Sequence, residues 1–439
     1  MHPIHTIALG VGLMAILLGV AHAQETGLRA GVAQANITPT EEGIPTQLGG
    51  YGARAGKPAE GVHDRIYAKA LVFEWKGKKS ALVTLDVCSL PACLLEESVA
   101  KAAIEGLSPE TVIMTASHSH AGIEGFSMDR RNIAGNPHIG IFDEKVLAFV
   151  ADRIGAALRQ ADAALQPVTA ASASIRLPGM NRNRRKDALV DEDLTVLRFD
   201  DAHGKPYAVV VNYTAHGTIM TENEMLVSGG WAGNMQRTVE TLLDGAVCLY
   251  TNGAEGDVSP VPPDGGSQWE KAERYGRSVG VSAANLAAIL KPEPVLVFDL
   301  QSRRVNLPKR QVPPNFAAIT GDEYHVEEGQ LQALLDQMFP DKAPLYALRV
   351  NDYMMITFPG EPISAIGLKL KKRMKQAGIA TPCVASLAGD HIGYILSEQE
   401  YNEGGYESTT SFYGPTLGPL LLDLATVFAQ DMTGNPAKP

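Results

Sequence analysis

Two histidines separated by a single residue, His118 and His120, follow the short β-prone segment Thr111–Met114. Side chains alternate faces along a strand, so both imidazoles point to one side if extended geometry continues past this segment. Imidazole is a common zinc ligand and the usual proton carrier near neutral pH. A His-x-His pair alone is more often an ordinary surface or core feature. The rest of the chain therefore has to decide whether this pair belongs to a metal site.

Further along the chain, other apparent strands also end in groups that could bind a metal or attack a substrate. These groups are His216, Asp257 with Ser259, Glu361, and the run from Asp390 to Tyr394. Glycines beside most of them allow tight turns and close approach of the backbone to a ligand. Because ligands bind at the carboxyl ends of strands in open α/β sheets, the recurrence predicts one common site.

Each of these groups also has a purely structural interpretation. His216 could be a core histidine bonded to the backbone, and Glu361 could face the positive end of the helix that follows it. Ser259 is by default a turn or cap residue, and Tyr394 is by default a core residue. We interpret His391 as a loop histidine in preference to a ligand.

The elements that must position these groups are predicted from periodicity. Buried strands are predicted at Ala70–Phe73, Ser80–Leu85, Thr111–Met114, Ala208–Val211 and Tyr353–Phe358. Helices are predicted at Leu94–Ala103, Glu144–Gln160, Trp231–Leu243, Glu270–Leu290 and Ile363–Gln376. Val295–Leu307 is predicted as an edge strand, and Asn315–Pro340 as a helical excursion that could form a lid. The mixture predicts an α/β fold, with a mixed or largely parallel sheet, flanking helices and a zinc site at the strand ends.

The composition is typical of a globular protein and argues against nucleic acid as a partner. Hydrophobic residues make up 45% of the chain and charged residues 20%. The net charge of −11 does not provide the basic face that a polyanion requires. Four cysteines are too few for a disulfide scaffold, and whether Cys88 and Cys93 pair is left open. A metal would therefore be held mainly by histidine and carboxylate groups.

The first residues predict export. The apolar run Ile7–Val20 is short for a membrane span and is followed by Ala21-His22-Ala23, a small-x-small cleavage site. We expect a signal peptide over residues 1–23, cleaved after Ala23, and a secreted or periplasmic product. The segment before the apolar run carries histidines where lysine or arginine is usual. Residues 24–439 are predicted to form one catalytic domain, with a small C-terminal lobe as the alternative.

Taken in order, several motifs resemble those of the neutral ceramidase family. They are Gly31–Pro39, Gly49–Gly52, Val62–Arg65, His118–Gly122, Asn183-Arg184, Ala215–Thr218, Gly256–Pro260, Pro359–Glu361 and the region from Tyr394 to Glu407. Each motif is weak alone, but the ordered set covers most of the predicted mature chain. The resemblance implies a secreted or membrane-surface zinc amidase that splits ceramide into sphingosine and a fatty acid.

The resemblance also implies a site. The family's zinc ligands match His118, His216, Glu361 and Tyr394, and Tyr394 is also expected to take part in catalysis. His120 matches the histidine beside the metal, and we expect it to pass a proton to the leaving amine. Ser259 matches the family's serine, as nucleophile or as hydrogen-bond donor. Arg184 matches its arginine, with Arg182 as a competing match. Asp86 is a candidate hydrogen-bond partner for a ligand histidine.

The departures from the family pattern bear on the substrate. Ala121, Pro362, Ile363 and the stretch Ala388–His391 differ from the expected residues, so we expect altered pocket walls around an intact metal set. We also expect a short form without the immunoglobulin-like C-terminal domain of the family's long members. The first hypothesis is a zinc hydrolase for ceramide or a related lipid amide, with transient membrane-surface contact. The alternatives are a zinc hydrolase for a smaller amide or ester, and a non-catalytic binding protein on the same fold. The oligomeric state is not predicted.

Overall fold

The computed structural model describes residues 27–185 and 189–434, so the predicted signal peptide lies outside the described residues. Within these two ranges, no helix is both long enough and apolar enough to cross a lipid bilayer.

Runs of two to six strands separate most of the longer helices along this length. The strands are β1 (Arg29–Asn36), β2 (Gly61–Val62), β3 (Tyr67–Trp75), β4 (Lys78–Leu85), β5 (Val112–Ala116), β6 (Gln166–Pro167), β7 (Thr169–Arg176), β8 (Asn181–Asn183), β9 (Asp193–Asp200), β10 (Pro206–Tyr213), β11 (Leu226–Val227), β12 (Val247–Asn252), β13 (Val258–Pro260), β14 (Glu293–Pro294), β15 (Phe298–Asn306), β16 (Lys342–Val350), β17 (Tyr353–Thr357), β18 (Glu361–Pro362), β19 (Thr381–Ala385) and β20 (Tyr394–Ile395). The α-helices are α1 (Ala92–Ala102), α2 (Glu144–Ala163), α3 (Gly230–Leu242), α4 (Gln268–Ile289), α5 (Asp322–Tyr324), α6 (Glu328–Met338), α7 (Ser364–Gln376), α8 (Glu398–Glu403), α9 (Tyr406–Thr409) and α10 (Leu417–Thr433). Short 3₁₀ turns lie at Pro39–Glu42, Gly52–Arg54 and Gly125–Met128, and a π turn lies at Ala317–Gly321.

Three larger sheets carry the fold, with strand orders β5-β4-β3-β1-β6, β12-β10-β9-β7-β14 and β15-β16-β17-β19. Most ladders are antiparallel, but each sheet has one parallel pair at an edge: β4 with β5, β10 with β12, and β17 with β19. These edges face one another, since β12 contacts β4, β5 and β19. The prediction of a mixed sheet with flanking helices is confirmed, with the strands divided among three sheets.

The strands of the parallel pairs are buried on both faces, which explains why their positions could be predicted from the sequence. Every residue of β5, β17 and β19 is buried, and so are the last six residues of β10. Strands covered on both faces consist of nearly continuous apolar runs, which the sequence shows at these places. The predicted edge strand is β15, and the predicted helical excursion contains α5 and α6. All four cysteines are free, so Cys88 and Cys93 do not pair.

Helices α3 and α4 pack closely through glycine. A Cβ on Gly276 of α4 would lie 2.2 Å from the carbonyl oxygen of Trp231 and 2.8 Å from Cβ of Asn234, both on α3. The indole nitrogen of Trp231 donates a hydrogen bond to the carbonyl oxygen of His216 at 2.9 Å. The helix pair therefore helps to fix the backbone of one residue predicted to bind the metal.

We expect Gly276→Ala to lower the free energy of unfolding by about 1–3 kcal/mol, because the new methyl group meets backbone that has no room to move. Gly329→Ala is the matched control, since a Cβ on Gly329 of α6 has no neighbour within 4 Å. The same substitution there should stabilise the protein by up to about 1 kcal/mol. Equilibrium urea unfolding of both variants measures the two changes. Equal effects at both positions would contradict the close packing of α3 on α4.

Candidate active site

His118, His216 and Glu361 converge on one point, each delivered from just beyond a strand of a parallel pair. Oε2 of Glu361 lies 3.5 Å from Nε2 of His118 and 3.3 Å from Nε2 of His216. The two rings have their centroids 4.5 Å apart, and all three side chains are buried. The three sequence segments, one from each large sheet, therefore present their polar atoms to a shared centre.

The tautomers of both histidines are set by backbone carbonyls. Nδ1 of His118 lies 2.7 Å from the carbonyl oxygen of Cys88, and Nδ1 of His216 lies 2.8 Å from that of Glu255. A carbonyl oxygen can only accept, so each Nδ1 carries the hydrogen and donates it. In the neutral rings each Nε2 then offers its lone pair to the shared centre, as a metal ligand does.

Asp86 does not orient either histidine. Its carboxylate accepts hydrogen bonds from the backbone nitrogen of Tyr67 at 3.0 Å and from Nε2 of Gln236 at 2.7 Å. Asp86 thus joins β3 to α3. The sequence prediction for this residue was wrong, because main-chain carbonyls fill the role assigned to it.

The residues present fit a zinc ion. Oε2 of Glu361 is buried and has no hydrogen-bond partner among the described residues, a costly arrangement for a carboxylate oxygen unless a cation compensates it. Burial alone would lower the pKa of His118, but the charge of Glu361 helps to raise it well above its usual value, as expected of a site that attracts positive charge. The ligand atoms of His118, His216 and Glu361 all lie within 4.8 Å of one another. Two imidazole nitrogens and one carboxylate oxygen form a donor set that zinc accepts in catalytic sites.

Tyr394 lies at the edge of this cluster. Its hydroxyl is 3.3 Å from Nε2 of His216, and the two rings are nearly parallel. Nη2 of Arg184 donates a hydrogen bond to the same hydroxyl at 2.9 Å. Burial and the negative charge of Glu361 raise the pKa of Tyr394 well above its usual value, although Arg184 acts in the opposite direction. In the absence of a metal, Tyr394 is therefore a neutral phenol.

Of the two competing arginines, the structure brings Arg184 to the site. Its Nη2 also donates to the carbonyl oxygen of Gly256 at 2.7 Å, and its Nε donates to Oε1 of Glu407 at 2.7 Å. Nη1 of Arg185 donates to the other oxygen of Glu407 at 2.7 Å. Arg182 is exposed on β8. The sequence analysis gave no role to Glu407, whose contacts span more than half of the chain.

His120 lies beside the cluster, but its geometry differs from the one expected. His118 has a φ of 65°, so the chain turns there and does not stay extended. Nε2 of His120 nevertheless comes within 3.3 Å of Nε2 of His118, and Nδ1 of His120 is buried without a partner. Burial, and positive charge on nearby groups, lower the pKa of His120 well below its usual value. The ring is therefore neutral at pH 7. Gly50 has a φ of 89°, and a Cβ there would lie 2.2 Å from Nδ1 of His120.

Ser259 is not brought to the cluster. It lies on β13, opposite Arg182 in the antiparallel pair with β8, and it does not line the cavity that contains the histidines. Asp257 of the same motif is the buried anchor: Oδ1 accepts from the backbone nitrogen and the hydroxyl of Ser364 at 2.8 and 2.9 Å. Its Oδ2 accepts from Nδ2 of Asn183 at 2.7 Å. The motif thus holds the start of α7 and the segment before Arg184 in place.

The cluster forms the floor of a cavity of about 340 Å³. One wall is apolar and comes from the helical excursion of α5, α6 and their neighbours. It is built mainly from Phe316, Leu331, Leu334, Leu335, Met338 and Phe339. Ala121, Pro362 and Ile363 do not line this cavity, so the expectation that they alter its walls was wrong. His391, the last residue of the stretch Ala388–His391 that also departs from the family pattern, does line the cavity.

Comparisons with known proteins agree with one another. A family model described as neutral/alkaline non-lysosomal ceramidase, N-terminal, matches residues 28–264. The neutral ceramidase of Pseudomonas aeruginosa is 23% identical, over 90% of this chain and 70% of that protein. Neutral ceramidase A of Dictyostelium discoideum is 27% identical, over 50% of this chain and 34% of that protein. The crystal structure of neutral ceramidase from P. aeruginosa superposes with a TM-score of 0.77 at 22% identity, covering 94% of this chain and 76% of that one.

Glu407 predicts a pH-dependent contribution to stability. Burial alone would raise its pKa, but Arg184 and Arg185 lower it overall. The stabilisation is therefore present above the unfolded-state pKa of about 4.3 and is lost as the pH falls through the lower folded-state value. Glu407→Gln should cost about 3 kcal/mol at pH 7, since it leaves two mostly buried arginines without a counter-charge.

Urea unfolding of the chelator-treated protein over a pH series measures this difference. Glu74→Gln is the control, because its exposed pair with Arg29 should contribute less than about 1 kcal/mol. A Glu407→Gln loss that does not shrink as the pH falls well below 4 would contradict the assignment.

Proposed function

This chain belongs to the neutral/alkaline non-lysosomal ceramidase family, and on that premise we propose that it hydrolyses the N-acyl bond of ceramide or a related lipid amide with a bound zinc ion. One observation carries the proposal. Two imidazole nitrogens whose tautomers are fixed by carbonyls, and a carboxylate oxygen that has no hydrogen-bond partner among the described residues, meet on the floor of a cavity with an apolar wall.

His118, His216 and Glu361 would hold the zinc ion, with the hydroxyl of Tyr394 as the fourth protein group within reach. When bound, zinc polarises the scissile carbonyl and lowers the pKa of water toward about 7. The carbonyls behind the two histidines keep both rings in the tautomer that binding requires. The protein thus supplies a set of ligands that is oriented before the metal arrives.

His120 is suited to move the proton. Its ring is neutral at pH 7, lies against His118, and has one buried nitrogen without a partner. It can therefore accept a proton from the attacking water and deliver it to the nitrogen of the leaving amine. An amine leaves far more readily when it is protonated, so this transfer completes the cleavage.

Arg184 and Tyr394 are suited to stabilise the oxyanion that forms when water attacks the amide. The hydroxyl of Tyr394 accepts a hydrogen bond from Arg184 and lies 3.3 Å from Nε2 of His216. If the lone pair of that nitrogen is bound to zinc, the proton of Tyr394 would be available to the oxyanion. Arg184 adds a positive charge whose pKa is raised by Tyr394 and Glu407 against the effect of burial. Donors oriented in advance at a developing negative charge are the largest single source of rate enhancement in many hydrolases.

The cavity supports a lipid amide over a small polar one. Its apolar wall can bury an acyl or alkyl chain, while the polar groups cluster at one end. Arg184, the cation among its lining residues, is already paired with Glu407, so a substrate carboxylate would find no free partner in the lining. A smaller amide or ester is the second candidate, and a non-catalytic binding protein the third. We also propose transient membrane-surface contact and export, the latter on the Ile7–Val20 run and the site after Ala23.

His118→Ala and Glu361→Ala should each abolish zinc binding and activity while the fold persists. His203→Ala, an exposed histidine in a turn, is the matched control and should change neither. Metal analysis of the purified protein, hydrolysis of a fluorescent ceramide with and without chelator, and circular dichroism make the comparison. Zinc retained in both variants would reject these residues as ligands. A wild-type protein that binds zinc but leaves ceramide intact would favour the smaller amide or ester.

Activity should rise with acyl-chain length. Each methylene buried in the transition state contributes about 0.8 kcal/mol, or about fourfold in kcat/KM, until the wall is filled. We expect kcat/KM to increase from acetyl to hexanoyl to dodecanoyl amides of one amine, measured below their micelle concentrations. Leu334→Asp, which places a charge at a partly buried position of the apolar wall, should lower the long-chain values and leave the acetyl value near wild type. A wild-type preference for the acetyl amide would contradict a lipid substrate.

A further inference from the structure

The two oxygens of Glu361 have different surroundings. Oε2 faces His118 and His216 and has no hydrogen-bond partner. Oε1 lies 3.2 Å from Nε2 of His391. A carboxylate oxygen can only accept, so this nitrogen of His391 carries the hydrogen and donates it. One oxygen is thus engaged by the protein and the other is left for a cation.

His391 is itself held by a buried charge cluster. Its backbone nitrogen donates to Oδ1 of Asp390 at 2.9 Å. Arg131 binds Asp390 through both oxygens, at 2.6 and 3.0 Å, and its Nη2 lies 2.8 Å from Oδ2 of Asp129. Both aspartate side chains are only 3% exposed. Two-point contacts between arginine and carboxylate fix orientation as well as distance, so the cluster restricts where His391 can lie.

The backbone ties His391 to Glu361 a second time. The backbone nitrogen of Leu387 donates to the carbonyl oxygen of Gly360 at 3.0 Å. The backbone nitrogen of Glu361 donates to the carbonyl oxygen of Gly393 at 3.1 Å. These bonds lie on either side of His391 along the chain. The loop that carries the imidazole and the segment that carries the carboxylate therefore move as one unit.

The ring has little freedom within that frame. It meets the ring of Phe126 edge to face, with centroids 5.7 Å apart, and its Nδ1 is buried without a partner. The single polar contact of the ring recorded in the described part of the chain is the one with Glu361. A surface loop histidine would not need this support.

We propose that His391 is a positioning residue: it holds Oε1 of Glu361 and so directs Oε2 to the point shared by His118 and His216. This role rests on the proposed zinc site and adds to it a residue that the family resemblance does not supply, since the stretch ending at His391 departs from the family pattern. Groups that orient metal ligands in this way typically change metal affinity by about 10–100-fold when they are lost.

Two amide substitutions test the contact. The amide nitrogen of glutamine stands about as far from Cα as Nε2 of histidine, whereas that of asparagine corresponds to Nδ1 and falls short of Glu361. We expect His391→Asn to weaken zinc binding by about 10–100-fold and His391→Gln to stay close to wild type. Competition of the purified protein with a chromogenic chelator measures the affinities without reference to activity.

His138→Ala is the matched control. His138 also lines the cavity, but its Nδ1 bonds to the carbonyl oxygen of Gly52, and it has no recorded contact with the ligand set. Its loss should leave zinc affinity unchanged. Melting temperatures of the metal-free proteins establish that each variant folds, and His391→Ser replaces the asparagine variant if the latter does not.

Equal zinc affinity in the wild type and in His391→Asn would overturn the role of His391. Equal weakening by asparagine and glutamine would also overturn it, because the effect would then not follow the reach of the donor. A wild-type protein that binds no zinc would instead reject the proposed function, a result distinct from both.

Discussion

The site depends on two hydrogen bonds from imidazole to main-chain carbonyls. Because Nδ1 of His118 and of His216 each donates to a carbonyl oxygen, both Nε2 atoms face the same point with their lone pairs. A carboxylate partner could rotate or become protonated, whereas a main-chain carbonyl moves only with its backbone. The acceptors belong to Cys88 and Glu255, which follow β4 and β12. Each tautomer is therefore fixed within one parallel pair, β4 with β5 for His118 and β10 with β12 for His216.

Much of this arrangement could be predicted from the sequence, since the parallel strands are long apolar runs that end in polar residues. The strand and helix locations followed from that pattern, and the resemblance supplied candidates for the cluster. Local geometry could not be predicted in the same way. His118 adopts a left-handed backbone that an extended segment does not indicate, and Ser259 follows a buried strand without facing the cavity. The links from Arg131 to Asp390 and from Arg184 to Glu407 join residues more than 200 positions apart, and one sequence carries no signal for such contacts.

The departures from the family pattern fall into two groups with different meanings. Ala121, Pro362 and Ile363 are buried and do not line the cavity. His391 lines the cavity and contacts Glu361, one of the proposed zinc ligands. The apolar wall comes from residues 316–339, beyond the part of the chain that the family model matches. Glu361 and Tyr394 also lie beyond it, so the matched part of the chain contains the two ligand histidines and Arg184, and the rest contains the apolar wall and the other proposed ligands.

The facing edges of the three sheets have a consequence for solubility. An exposed strand edge offers unpaired amides and carbonyls to other chains and promotes aggregation. Here the segment after β19 covers such edges: Ser386 bonds to Asn252 at the end of β12, and Leu387 and Gly389 bond along β5. The parallel edge of each sheet is therefore in contact with the other sheets, and its backbone groups are not exposed for pairing with another molecule. In the folded protein, the same backbone that brings the clustered polar groups together therefore leaves these edges paired.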